Sequence, residues 1–228
     1  MVGGDILVIP VLTPNVSSVS GELLDPDPTN ASTYSTLLLG TGFLPGRRQV
    51  IWRDWYTHAV VSSTPTGGGM VDLDAPLGHI PVLIRSGAAL LLHSQPGYTT
   101  RASATTPYAL LVSLSSDGHA YGTALIDDGE TQVSNDDSDA HAKAATHLRT
   151  LEFNVGNKQL EILGEGTFGI AQPLGVITLL GVDRRPRRVR LNGVDVPFRK
   201  WVYTSVVQRL VVSDVSIDLN ERSAVTWE

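Results

Sequence analysis

Two pairs of carboxylates stand close together in this 228-residue sequence: Asp72 with Asp74, and Asp127 with Asp128. Paired carboxyl groups can divide general-acid and general-base work, provided the fold holds them facing one another across a substrate. Strand geometry argues against that here. Residues two apart share a strand face and neighbours point opposite ways, so Asp72 and Asp74 lie side by side while Asp127 and Asp128 diverge. Solvated strand faces and loop caps account for both pairs. Asp127-Asp128-Gly129 reads as an Asx-type turn, in which an aspartate oxygen accepts a nearby backbone N–H.

Other chemistry-bearing groups are weighed the same way. The acid-rich stretch 127–139 offers oxygen ligands to a hard cation, yet lacks the spacing of a calcium-binding helix-loop-helix. Six histidines (58, 79, 93, 119, 141 and 147) form no metal-ligand motif, and surface histidine is the better reading. Ser113, Ser115 and Ser116 sit in no nucleophile elbow. No catalytic residue, metal or cofactor is assigned. Trp52, Trp55 and Tyr56 form an aromatic cluster, and an exposed ring of Trp52 or Trp55 could stack on a sugar; core packing is the competing reading for both, as for Trp201 and Trp227. The one basic cluster, Arg184 to Arg190, precedes Leu191 in strand-like alternation, so its arginines are expected to face outward or to pair with nearby acids.

These groups must be carried by a mostly β scaffold. The chain holds 22 Gly and 13 Pro, with frequent Val and Thr, the composition of pleated and half-buried surfaces joined by turns. The net charge of −6 disfavours nucleic acid as a partner. No apolar run of about 20 residues marks a membrane span. Met1 is followed by Val-Gly-Gly-Asp, so no signal peptide is visible. Zero cysteines remove disulfides and thiolate chemistry.

The apolar run from Ile6 to Leu12 reads as a buried strand, and residues 13–46 as poor in structure. Strands are expected again at 48–56, 70–73, 80–85 and 88–92, then at 108–114 and 121–126, joined into a hairpin by Asp117-Gly118. Residues 132–147 read as a polar loop. Short strands follow at 151–155, 160–163, 176–182, 189–191, 200–204, 209–212 and 215–219, with Asn192-Gly193 as a two-residue turn. Short strands separated by turns imply an all-β fold: two antiparallel β-sandwich domains in series, spanning 1–94 and 107–228, with a Thr-, Ser- and Pro-containing linker at 95–106.

Five segments, in order, resemble the region that follows the catalytic barrel in the family 31 glycoside hydrolases. They are Gly3 to Leu12; Leu44-Pro45-Gly46 with Trp52-Arg53-Asp54-Trp55-Tyr56-Thr57; Ala75-Pro76-Leu77 with Ile80-Pro81-Val82-Leu83-Ile84-Arg85-Ser86-Gly87; Pro107 to Val112; and Asp127-Asp128-Gly129-Glu130. Ser86 stands where that family usually has Gly. The resemblance implies that residues 1–94 are a proximal and 107–228 a distal C-terminal sandwich, beginning at the barrel's exit strand. It implies a retaining α-glucosidase as the parent, whose two carboxyl groups sit about 5 Å apart in the barrel. The family's nucleophile run is not found in this sequence, so the expectation is a non-catalytic region that braces a barrel lying outside these residues.

The expected partner is therefore the catalytic barrel of the same α-glucosidase, with carbohydrate as a second candidate and neither nucleic acid nor membrane. A free-standing carbohydrate-binding module is the alternative reading. Asn15-Val16-Ser17 and Asn30-Ala31-Ser32 fit the N-glycosylation pattern, making Asn15 and Asn30 candidate acceptors in a secreted, extracellular protein that hydrolyses α-glucosidic bonds of malto-oligosaccharides or starch.

Overall fold

The computed structural model describes residues 3–10, 18–22, 50–64, 70–95, 97–129 and 147–228. Both sequons, Leu44-Pro45-Gly46, Glu130 and the acidic run up to residue 139 lie outside them. Its regular secondary structure is nearly all strand, and the chain forms two compact units, one of residues Met1–Ala88 with Ser115–Asp117, the other of Ala89–Leu114 with Gly118–Glu228.

In the first unit, β1 (Ile6–Val8), β6 (Val82–Arg85), β3 (Val50–Asp54) and β4 (Val60–Thr64) form an antiparallel sheet in that order. A separate ribbon pairs β2 (Ser18–Glu22) with β5 (Met70–Asp74). Their apolar faces meet: Ile9, Val50, Trp52, Ala75 and Leu83 form the core, and Leu7, Val61, Val71 and Leu73 pack against it. The central strand is covered on both faces, because its neighbours Trp52 and Arg53 are both buried. β2 falls within the stretch expected to lack structure. Its sequence, Ser-Val-Ser-Gly-Glu, carries little apolar signal, and its pairing to β5 is what defines it.

The second unit is a ladder of eleven strands, ordered β14-β13-β17-β11-β10-β9-β7-β8-β12-β16-β15. In chain order these are β7 (Ala88–His93), β8 (Tyr108–Ser113), β9 (Ala120–Asp127), β10 (Leu148–Gly156), β11 (Gln159–Glu165), β12 (Leu174–Leu180), β13 (Val189–Leu191), β14 (Val194–Asp195), β15 (Trp201–Thr204), β16 (Arg209–Val212) and β17 (Ser223–Trp227). The ladder folds over one core. Leu151, Phe153 and Val155 of β10 and Leu160 and Ile162 of β11 join Leu110 and Val112 of β8, Leu174, Ile177 and Leu179 of β12, and Leu210 and Val212 of β16 in a single buried cluster. Period-two burial along β10 and β11 is what lets one face of each strand serve that core.

Two expectations need correction in this unit. The turn at Asp117-Gly118 is present, but β8 and β9 do not pair, because β7 lies between them in the ladder. Among the described residues, β8 joins β12 by a parallel pairing. Residues 215–219 are not a strand. Ile217 makes one bridge to Leu174, and Asp218 then folds back on Asn220, so the segment buries Ile217 and Leu219 without joining the ladder. Within 95–106 lies a four-residue helix, α1 (Thr100–Ser103), its first turn capped by the Thr99 hydroxyl, which accepts the Ala102 N–H at 3.1 Å.

Candidate functional site

Each described acid of the two carboxylate pairs has a local task or faces solvent. Asp72 and Asp74 sit exposed on β5, opposite Ser20 and Ser18 of β2. Asp127 Oδ1 accepts the Gly129 N–H at 3.0 Å, closing the expected Asx turn, with Gly129 at a positive φ of 71°. Asp128 Oδ2 lies 3.0 Å from Nδ1 of His147. Among the described residues no group of three or more His, Asp or Glu is placed to hold a metal ion.

The arginine cluster resolves into pairs on the surface of the second unit. Arg190 bonds Asp195 at 3.0 Å and Glu228 at 2.9 Å, Arg188 lies 3.9 Å from Asp195, and Arg185 sits over the Phe198 ring at 5.1 Å. Phe198 in turn meets Trp201 edge-on, centroids 4.6 Å apart. Trp201 and Trp227 are core residues.

The aromatic cluster of the first unit separates by burial. Trp52 is 1% exposed, with its ring inside the core, so it presents no face to a sugar. Trp55 is half-buried, and its backbone N–H donates to the Val82 carbonyl at 2.9 Å. The ring that reaches solvent is Tyr56, 54% exposed. Arg53, between them, is 2% exposed, and burial draws its guanidinium down to about 10.

Asp54 organises this corner. Its Oδ1 accepts the Tyr56 N–H at 3.1 Å, the Thr57 N–H at 2.7 Å and the Thr57 hydroxyl at 2.8 Å. Its backbone carbonyl takes the His58 N–H, its own N–H bonds the Ala59 carbonyl, and His58 supplies the positive φ of 61° that the reversal requires. The Trp-Arg-Asp-Trp-Tyr-Thr run thus encodes a core anchor, a carboxylate-capped turn and an outward ring. That ring is itself tied down: the Tyr56 hydroxyl donates to the Ile80 carbonyl at 3.4 Å, and the ring packs on His79 with centroids 4.9 Å apart. Ile80, whose carbonyl accepts the Tyr56 hydroxyl, and Leu77 of the same loop between β5 and β6 are exposed. In the sequence Tyr56 is one of three clustered aromatics, and the signal that sets it, Leu77 and Ile80 apart is the absence of Lys, Arg, Asp and Glu from 55–61 and 76–81.

No protein-family model matches the chain. An α-glucosidase of Aspergillus niger is 35% identical to it over 212 residues, covering 93% of this chain and 18% of the relative. An α-glucosidase of Aspergillus oryzae is 34% identical over 193 residues, 85% of this chain and 16% of the relative. Among solved structures, a GH31 dextranase of Flavobacterium johnsoniae superposes with a TM-score of 0.68 at 15% identity, over 100% of this chain and 26% of that one; at that identity the likeness is one of fold. The chain spans under a fifth of the length of the curated relatives it matches.

Proposed function

Since the chain belongs to glycoside hydrolase family 31, as a C-terminal region of its α-glucosidases, we propose that it is a non-catalytic scaffold that braces the catalytic barrel of a secreted α-glucosidase. The substrates of that enzyme are α-glucosidic bonds in malto-oligosaccharides or starch. Residues 1–94 serve as the proximal sandwich, beginning at the barrel's exit strand, and residues 107–228 as the distal one. The observation that carries this reading is the match over 93% of this chain to only 18% of an α-glucosidase. The local roles of the acids support it: Asp54 and Asp127 are spent on turns and Asp128 on His147. Bracing follows from burial, since apolar area withdrawn from water stabilises an interface by roughly 25 cal/mol per Å². Secretion rests on Asn15 and Asn30 as glycan acceptors.

The test is turnover by the isolated chain. Incubated with an aryl α-glucoside, it releases no aryl product, and on starch it is neither active nor retained. Product release would overturn the scaffold reading. Retention on starch without turnover would favour a carbohydrate-binding module. A mass shift removed by endoglycosidase from protein made in a secretory host, and lost in Asn15→Gln with Asn30→Gln, checks the secreted form.

A further inference from the structure

We infer that the surface formed by residues 55–60 and 76–80 of the first unit, centred on Tyr56, Leu77 and Ile80, is where the catalytic barrel docks. This rests on the bracing reading above and specifies the contact.

The two loops form one continuous surface. The Tyr56 hydroxyl bonds the Ile80 carbonyl, its ring lies on His79, and the Trp55 backbone N–H bonds the Val82 carbonyl at the start of β6. Val8 pairs with Val82 and the Ile9 N–H bonds the Pro81 carbonyl, which adds the end of β1 to the same rim. Five large apolar side chains here face solvent: Leu77 at 107%, Tyr56 at 54%, Ile80 at 51%, Val60 at 50% and Val8 at 38%. Neither 55–61 nor 76–81 contains a Lys, Arg, Asp or Glu. Interface centres are depleted of charge and enriched in aromatic anchors, and a tyrosine already fixed at its hydroxyl and its ring face loses little freedom on binding.

What selects the occupant is length. The relatives carry more than four-fifths of their polypeptide outside the part this chain matches, so the apolar rim has a large covalently linked body to pack on. An oligosaccharide is disfavoured as the occupant, because aliphatic Leu77, Ile80, Val60 and Val8 offer a sugar no hydrogen bonds, and sugar sites place convergent polar groups beside the ring.

Hydroxyl-radical footprinting of the isolated 228-residue chain and of the full-length enzyme carrying it, read by mass spectrometry, tests the inference. Oxidation of Tyr56, Leu77 and Ile80 is expected to fall about fivefold or more in the full-length enzyme, as for side chains buried at an interface centre. If other side chains of the chain become protected while these three keep their rate, the docking surface lies elsewhere and the inference fails, although bracing stands. If no side chain gains protection, bracing itself fails. As a second readout, Leu77→Asp with Ile80→Asp lowers the melting temperature of the full-length enzyme and leaves that of the isolated chain unchanged. Equal effects on both would also overturn the assignment.

Discussion

Asp54 and Thr57 are joined twice, the carboxylate Oδ1 accepting both the backbone N–H of Thr57 at 2.7 Å and its hydroxyl at 2.8 Å. With the Tyr56 N–H as a third donor, one oxygen fixes the whole β3–β4 reversal. Asp54→Ala is expected to destabilise the first unit by about 1–2 kcal/mol, the usual cost of losing a capping acceptor. Asp54→Asn retains an acceptor and loses less. Urea unfolding of the two variants checks the order; equal stabilities for Asp54→Ala and the parent would show that the turn closes without the carboxylate.

Trp52 is buried in the first unit's core, in one cluster with Val50 and Leu83. Trp52→Ala is expected to cost about 3–5 kcal/mol, the range for removing a buried large aromatic. Tyr56→Ala, which removes a half-exposed ring, costs far less. Chemical denaturation followed by circular dichroism separates the two. Comparable losses would mean that Tyr56 is an unrecognised part of the core.

Gly122 on β9 faces the backbone of β7. A Cβ built there would lie 1.8 Å from the Ala89 carbonyl oxygen and 2.7 Å from its carbon. Since backbone cannot swing aside as a side chain can, Gly122→Ala is expected to destabilise the second unit by about 3 kcal/mol or more. Gly169, with open space around its Cβ position, is the control, and Gly169→Ala should melt near the parent. Matching melting temperatures for the two variants would contradict the close approach of β7 and β9.

Local chemistry was legible in the sequence, while pairing across distance was not. Asn192-Gly193 is the two-residue turn it reads as, both residues at positive φ and Leu191 paired with Val194. Asp127 caps its own turn, and Arg190 finds Asp195 five residues on. Each needs only neighbours in the chain. The passage of β7 between β8 and β9 depends on contacts among three separate segments, and nothing in Asp117-Gly118 specifies which strand lies alongside. β2 and β4 escaped because Ser-Val-Ser-Gly-Glu and Val-Val-Ser-Ser-Thr lack a clear apolar alternation; their partners hold them extended. Residues 215–219 misled for the opposite reason. They alternate like a strand, but Asp214 at a positive φ of 54° and the Asp218–Asn220 turn bend the chain out of the ladder. At the candidate site, the motif around Asp54 was visible as a family likeness, but which of its three aromatics faces solvent depended on burial.

Two carboxyls give opposite pH dependences. Asp218 accepts the Asn220 N–H at 2.8 Å and its side-chain amide at 2.6 Å. The backbone bond first, then the amide, hold its carboxyl below the ordinary aspartate value, with Arg149 adding a smaller pull against slight desolvation. The unfolded chain therefore takes up this proton first as pH falls, so the stabilisation is complete above about pH 4 and fades as pH drops through the lower folded value. Asp5 runs the other way. Burial pushes its carboxyl up, partly offset by Arg85. Here the folded chain holds the proton longer, so the burden builds as pH rises from the ordinary aspartate value, is complete above the raised folded value, and lifts in acid. Melting curves of the parent, Asp218→Asn and Asp5→Asn from neutrality to about pH 3 should show the Asp218→Asn deficit shrinking towards acid and the Asp5→Asn advantage shrinking as well, from opposite sides of the parent. A deficit for Asp5→Asn at neutral pH would mean that the ionised carboxylate and Arg85 gain more from each other than burial costs.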